Sequence, residues 1–208
     1  MRLFGIRTSQ ALNVEDLRKD GMPFTRLELK DLGDPIVKTA NRIVDVTDMK
    51  VGDYTIAAQP DVPRKLTVTH AKADELDTLG TVVIHGTNIL DKVISETIVP
   101  EEDDVVTTVN IFKSVTKVTG VGWVIDGVTG SEDQIQVGVD DMIGIPVDLE
   151  DSHQIIFAML GTEIIPPEDL DDSQIELMPN AGIDVNSATY DGSKTLRILV
   201  AFTNDYTS

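Results

Sequence analysis

Three histidines, thirty-six carboxylates and no cysteine bound the chemistry open to this chain. His70, His85 and His153 stand apart. None falls in the HxH, HxxxH or HExxH spacing that puts two imidazoles on one metal ion. His70 and His85 alternate with apolar residues in KLTVTH and TVVIH, which suits strand histidines with satisfied ring nitrogens. The acidic runs at 101–104, 148–151 and 168–172 offer oxygen ligands for Ca²⁺. They lack the alternate carboxylates, turn glycine and distal glutamate of an EF-hand loop, and read as solvated loop charge. Gly192-Ser193 sits in a turn before a strand, so Ser193 is not a nucleophile elbow, and there is no GxSxG elsewhere. One Trp and three Tyr are too few to line a sugar cleft around paired carboxylates. The glycines of 120–130 contain GVGW rather than a phosphate-binding P-loop. Basic patches interleaved with aromatics, as single-strand binders use, are missing too. The expectation is a non-enzymatic chain with no metal and no cofactor.

What remains is architecture. At 208 residues and 41% apolar content the chain can bury a real core, and with 4% aromatics that core must be built from Val, Ile and Leu. Without cysteine there is no disulfide framework and no zinc–thiolate site. No apolar run approaches the roughly 18 residues of a membrane-spanning helix, and residues 1–10 are too short and polar for a signal peptide. The net charge of −19 is unevenly placed. Residues 1–64 carry ten basic and ten acidic side chains, whereas residues 65–208 carry seven basic and twenty-six acidic ones. Such a field repels polyanions, so neither nucleic acid nor an anionic membrane is an expected partner.

Periodicity divides the chain. In residues 1–12, Arg2 and Arg7 stand among Leu3, Phe4, Ile6 and Leu12 with no secondary-structure signal: an extended arm. Residues 13–21 suit one short helix, with Asn13 as N-cap, Glu15 and Asp16 in the first turn, Arg18 and Lys19 in the last and Gly21 at the stop. Residues 26–32 and 40–48 alternate as extended chain. The predicted organisation is an arm, helix and docking segment over 1–53 and a β-rich body over 54–208. In the body, PRKLTVTH, GTVVIHGTN, VISETI, SVTKV and KTLRILVAF alternate with period two. The stretch 153–165 reads as a long strand or hairpin arm, and DDMIGIPVDL, broken by Gly144 and Pro146, as a packed loop. About ten short strands with frequent turns predict an all-β fold, a β-sandwich or jelly-roll-like body with an extended N-terminal arm and one short helix.

Some of these stretches also carry a family likeness. The run Pro63–His70, Gly80–Asn88, Val93–Ile98 and Phe112–Val118 resembles a β-rich module of tailed-bacteriophage virion proteins of the head surface. DQIQVGVDDMIGIPV and TYDGSKTLRILV are similar to the closing part of such proteins, so the resemblance covers about residues 60–202. It departs at Asp140-Asp141, where a turn glycine is expected. The resemblance implies a head decoration, or auxiliary capsid, protein that reinforces the shell from outside. Its expected partners are the major capsid protein and two further copies of itself in a homotrimer. It would be made in the host cytoplasm and reside on the virion. Arg2, Leu3, Phe4, Ile6 and Arg7 are the candidate capsid contacts. Other readings are a tail, baseplate or head-fibre component, a glycan- or Ca²⁺-binding surface module, and a hydrolase with a dispersed site.

Overall fold

The structure, a computed structural model, describes residues 24–73, 76–125, 132–149, 154–165, 170–171, 178–185 and 190–203. The arm, the short helix at 13–21 and His153 lie outside the described residues. Every named element is a strand: β1 (Phe24–Gly33), β2 (Thr39–Asp48), β3 (Gly52–Asp53), β4 (Arg64–Ala71), β5 (Thr81–Thr87), β6 (Val93–Ile98), β7 (Val105–Thr107), β8 (Ser114–Val121), β9 (Gln134–Gly144), β10 (Ile155–Leu160), β11 (Glu163–Ile165), β12 (Leu170–Asp171), β13 (Gly182–Val185) and β14 (Leu196–Thr203). The described chain is therefore all-β and sandwich-like, as the alternation predicts.

Among the described residues the strands form three antiparallel sheets. One has the order β3-β8-β5-β6. A second runs β12-β13-β9-β4-β7, with β2 also paired to β9. The third is β1-β14-β10-β11. The first two sheets close on one core. Val82, Ile84, Ile98, Val115 and Val118 of one meet Ile43, Val44, Leu66, Val68, Ile135, Val137 and Val139 of the other, with Phe112 and Trp123 filling the remainder. The third sheet supplies Leu196, Ile198, Val200, Ala158 and Leu160 to a second core, completed by Ile143, Ile145, Ile183 and Val185. The apolar side chains are nearly all aliphatic, so close packing rather than aromatic stacking holds both cores.

The eleven-residue β9 serves both cores, Ile135 to Val139 in one and Ile143 in the other. It can do so because it carries a bulge. Arg64 of β4 lies opposite Ile143 and Leu66 opposite Val139, so two steps on β4 match four on β9. The extra residues fall at 140–142. A bulge bends a strand and sharpens its twist, which lets one strand leave one core and enter the next. The predicted packed loop over 140–149 is thus corrected: β9 continues through Asp140 and Asp141 to Gly144, and only the rest is loop. The physical reason is that Gly144 is accommodated within the strand. A Cβ there would come 2.8 Å from the Ile111 side chain.

The predicted boundary at 53/54 does not separate two structural layers. β1 pairs along its length with β14, Leu29 opposite Leu199, and β2 pairs with β9, Val44 opposite Val137. Residues 24–53 are strands of the sheets, because the alternation at 26–32 and 40–48 has partners far along the chain. Of the stretch 153–165, the described residues 154–165 contain a hairpin, β10 with β11. Leu160 faces Glu163 across a two-residue turn, with Gly161 at φ +63° in the left-handed conformation such turns require.

Gly138 permits the closest approach in the second sheet. A Cβ there would lie 2.0 Å from the Thr39 carbonyl oxygen on β2. Gly138→Val should therefore push β2 from β9 and cost about 1–3 kcal/mol. Thermal melts of the variant against wild type check this.

Candidate functional site

Among the described residues Arg64, the His70–Asp133 pair and the half-buried Glu96 each bond one strand or connection to another. The most buried is Arg64, 0% exposed at the start of β4, where the two cores adjoin. Its Nε donates to the Asp140 carbonyl oxygen at 2.5 Å, and its Nη1 to the Ile36 carbonyl oxygen at 3.1 Å and to both Asp61 carboxylate oxygens at 3.1 Å. Nη2 faces the Asp141 carboxylate at 3.8 Å. Asp61 in turn accepts the Ile36 backbone N–H at 2.7 Å, and Lys38 Nζ donates to Asp140 Oδ1 at 2.6 Å. One guanidinium thus binds the β1–β2 connection, the entry to β4 and the β9 bulge. The bulge presents the Asp140 carbonyl and the Asp141 carboxylate to Arg64 and the Asp140 carboxylate to Lys38.

Tyr190 packs against this node. Burial, and then the charges of Asp184 and Asp141, push its phenol well above the usual tyrosine value, while the Arg64 charge acts in the opposite sense. An ionised phenolate would be unwelcome there. The folded state therefore keeps the proton at pH values where the unfolded chain, with a pKa of about 10, has lost it. Stability must fall as pH rises through about 10.

His70 is the second interior group, 1% exposed on β4. The Asp103 backbone N–H donates to His70 Nδ1 at 3.2 Å, which leaves Nε2 to carry the ring proton and donate it to Asp133 Oδ2 at 3.0 Å. Asp133 Oδ1 accepts the Ala73 N–H, the Asp133 N–H donates to Asp77, and the Asp133 carbonyl accepts the Met49 N–H. Both ring nitrogens are engaged, as the alternation of KLTVTH suggests. This pair joins the end of β4 to the 101–104 turn and to the start of β9. Glu96, half-buried, is the third of these groups. It points inward from the edge strand β6, opposite Ile84, and its carboxylate accepts three bonds, from the Val109 N–H, the Asn110 N–H and the Asn110 side-chain amide. It closes that edge of the sandwich.

The exposed groups lie on the outer face of the β3-β8-β5-β6 sheet. Asp53 accepts the Thr119 hydroxyl at 2.8 Å and pairs with Lys117 at 3.1 Å, with the half-buried His85 nearby. Those bonds to Thr119 and Lys117 hold the Asp53 carboxyl below its ordinary value. An open cleft of about 290 Å³ lies between β2 and the segment 50–57, where Lys50 sits 5.3 Å from the Tyr54 ring. It holds one Asp and one Lys, Asp45 and Lys50.

The acidic runs are engaged locally where they are described. Asp103 accepts the Lys72 N–H, Glu102 pairs with Lys72, Asp104 accepts the Val105 N–H, and Asp148 accepts the Met178 N–H. Among the described residues no three His, Asp or Glu side chains are grouped to hold a metal ion. Ser193 donates to Asp191 within its own turn. Arg2, Leu3, Phe4, Ile6 and Arg7 lie outside the described residues. Sequence reasoning missed Arg64 and Asp133. Arg64 reads there as an ordinary charged strand opening, and its only visible signal is the Asp-x-Pro-Arg spacing that sets Asp61 three residues before it.

No protein-family model, no curated protein and no solved structure matches this chain.

Two outcomes follow from the Arg64 node. Arg64→Met should destabilise the fold by about 3–5 kcal/mol, because Asp61 would remain buried without its counter-charge; urea melts measure it. Between pH 9 and 11 wild type should lose more thermal stability than Tyr190→Phe. Equal losses would show that the phenol does not resist ionisation.

Proposed function

We propose that this chain is a non-enzymatic virion structural protein of the capsid-decoration type, bound to the outer surface of a tailed-phage head. The observation that carries this reading is where charge is used. Arg64, the His70–Asp133 pair and Glu96 each bond one strand or connection to another across the sheets. Arg64, His70 and Asp133 are buried, and buried hydrogen-bonded charge is costly to remove once made, which suits a protein whose work is to stay folded on a particle. The sequence likeness of residues 60–202 to head-surface modules supplies the context.

Charge sets the orientation. A DNA-filled shell is strongly negative inside, and a body carrying an excess of nineteen acidic charges after residue 64 is repelled from it. The acidic body faces outward, and the neutral beginning of the chain meets the major capsid protein. With β1 and β2 engaged in the sheets, the contact narrows to the arm. Leu3, Phe4 and Ile6 bury apolar area worth roughly 25 cal/mol per Å², and Arg2 and Arg7 meet capsid carboxylates or carbonyls.

Immunogold labelling of phage particles from the source of this sequence tests the reading, with gold on heads expected. Gold confined to tails or baseplates, or none on particles, overturns it. Deleting residues 1–12 should leave a folded protein that no longer labels heads. Wild-type binding should survive moderate salt, which screens exposed ion pairs but not buried apolar contacts.

A further inference from the structure

The third sheet ends in an unusual edge. β1 is ten residues long, pairs with β14 on one side, and among the described residues has no strand on the other. Long edges of this kind invite another strand, and proteins commonly deter that with charge. Here the charge does not deter a second copy. Glu28 and Lys30 lie on one face of β1 and pair with each other at 2.6 Å. On the other face Leu27 and Leu29 are 42% and 57% exposed. Their cross-strand partners on β14 are Ala201 and Leu199, and Phe157 follows Leu199 on β10; those three are buried, so Leu27 and Leu29 are the exposed end of an apolar row.

We propose that two copies of this chain pair antiparallel through β1, about a two-fold axis at Leu29, and so join their third sheets into one continuous sheet. The strand is self-complementary about that axis. Residues that sum to the same register then oppose one another: Leu29 faces Leu29 of the second copy, Glu28 faces its Lys30, and Lys30 faces its Glu28. Bulges fall between Phe24 and Arg26 and between Asp31 and Gly33, so the regular ladder is the five residues Leu27 to Asp31, in which Leu27 faces Asp31 of the second copy. Moving the axis by one residue either way sets Glu28 against Glu28, or Lys30 against Lys30, and like charges directly opposed across a ladder are unfavourable. The charges that would blunt the edge toward other strands thus select one register with itself. At its end the strand stops cleanly, since Asp31 accepts the Gly33 N–H at 3.0 Å and Gly33 turns away at φ +91°. The interface is isologous, as closed two-fold dimers require. It does not depend on the virion role, and its symmetry differs from the three-fold that the family resemblance implies.

Charge reversal tests it. The full chain is compared by sedimentation velocity over a concentration series as wild type, Glu28→Lys, Lys30→Glu and the double swap. Wild type should be a dimer. Each single reversal puts like charges opposite one another twice across the axis, and should raise the concentration at half-dissociation by about ten-fold or more. The double swap pairs Lys at 28 with Glu at 30 of the second copy and should restore the dimer. Circular dichroism and melting of the singles, unchanged from wild type, keep the readout on association. A monomeric or trimeric wild type overturns the proposal. So does a dimer indifferent to the single reversals, or one that the double swap fails to restore.

Discussion

A buried guanidinium sits where this fold could come apart. The chain has two aliphatic cores, and β9 must serve both. The bulge at 140–142 that makes this possible also releases a backbone carbonyl and two carboxylates from regular pairing. Arg64 collects that carbonyl together with Asp61 and the Ile36 carbonyl. Its own desolvation is offset by those bonds, and the groups it binds would be stranded without it. The relation is reciprocal. Without the bulge Arg64 has too few acceptors, and without Arg64 the bulge has no counter-charge. Tyr190 adds a neutral phenol that burial, and then the acidic side of the node, keeps protonated.

Glu96 and the His70–Asp133 pair extend the same principle outward. Each lies where a strand or connection must be held without a continuous ladder. Glu96 ties β6 to residues 109–110 across the open side of the sandwich, and Asp133 ties the residues after β4 to the start of β9. In both cases a carboxylate accepts backbone N–H groups that lack a strand partner. Buried backbone donors must be satisfied somewhere, and charged acceptors form the stronger bonds. Part of the acidic composition thus serves structure, with carboxylates closing edges.

Much of the fold was legible in the residues. The alternation of KLTVTH and TVVIH sets Leu66 with Val68 and Val82 with Ile84, and both pairs lie in the core, whereas Val115 and Val118, three residues apart, share it only through the bulge in β8 opposite His85 and Gly86. Gly161 and Gly192 mark turns through their left-handed backbone. These signals are local, since strand periodicity and turn stereochemistry are written within a few residues. The candidate site was far less legible. The arm residues singled out for contact lie outside the described structure. Arg64 carries one local mark, Asp61 three residues before it, but its Asp140 acceptor stands 76 residues away, and Asp133 stands 63 residues from His70.

The sequence by itself determined the all-β class, most strand positions, the aliphatic character of the core and the uneven charge. It could not decide which strands are neighbours, and burial depends on that choice. RLELKDL and RKLTVTH alternate alike. Yet Leu66 and Val68 are fully buried in the core between two sheets, with β4 paired to β9 and β7, whereas Leu27 and Leu29 stay exposed on β1, which among the described residues pairs with β14 alone. Only the tertiary structure settled that β1 and β2 belong to the sheets, and that Asp140 and Asp141 form a bulge within a strand. The physical reason is the same in each case. A β-ladder is built from contacts distant in the chain, so the sequence shows a strand's pattern and only the fold shows what that pattern faces.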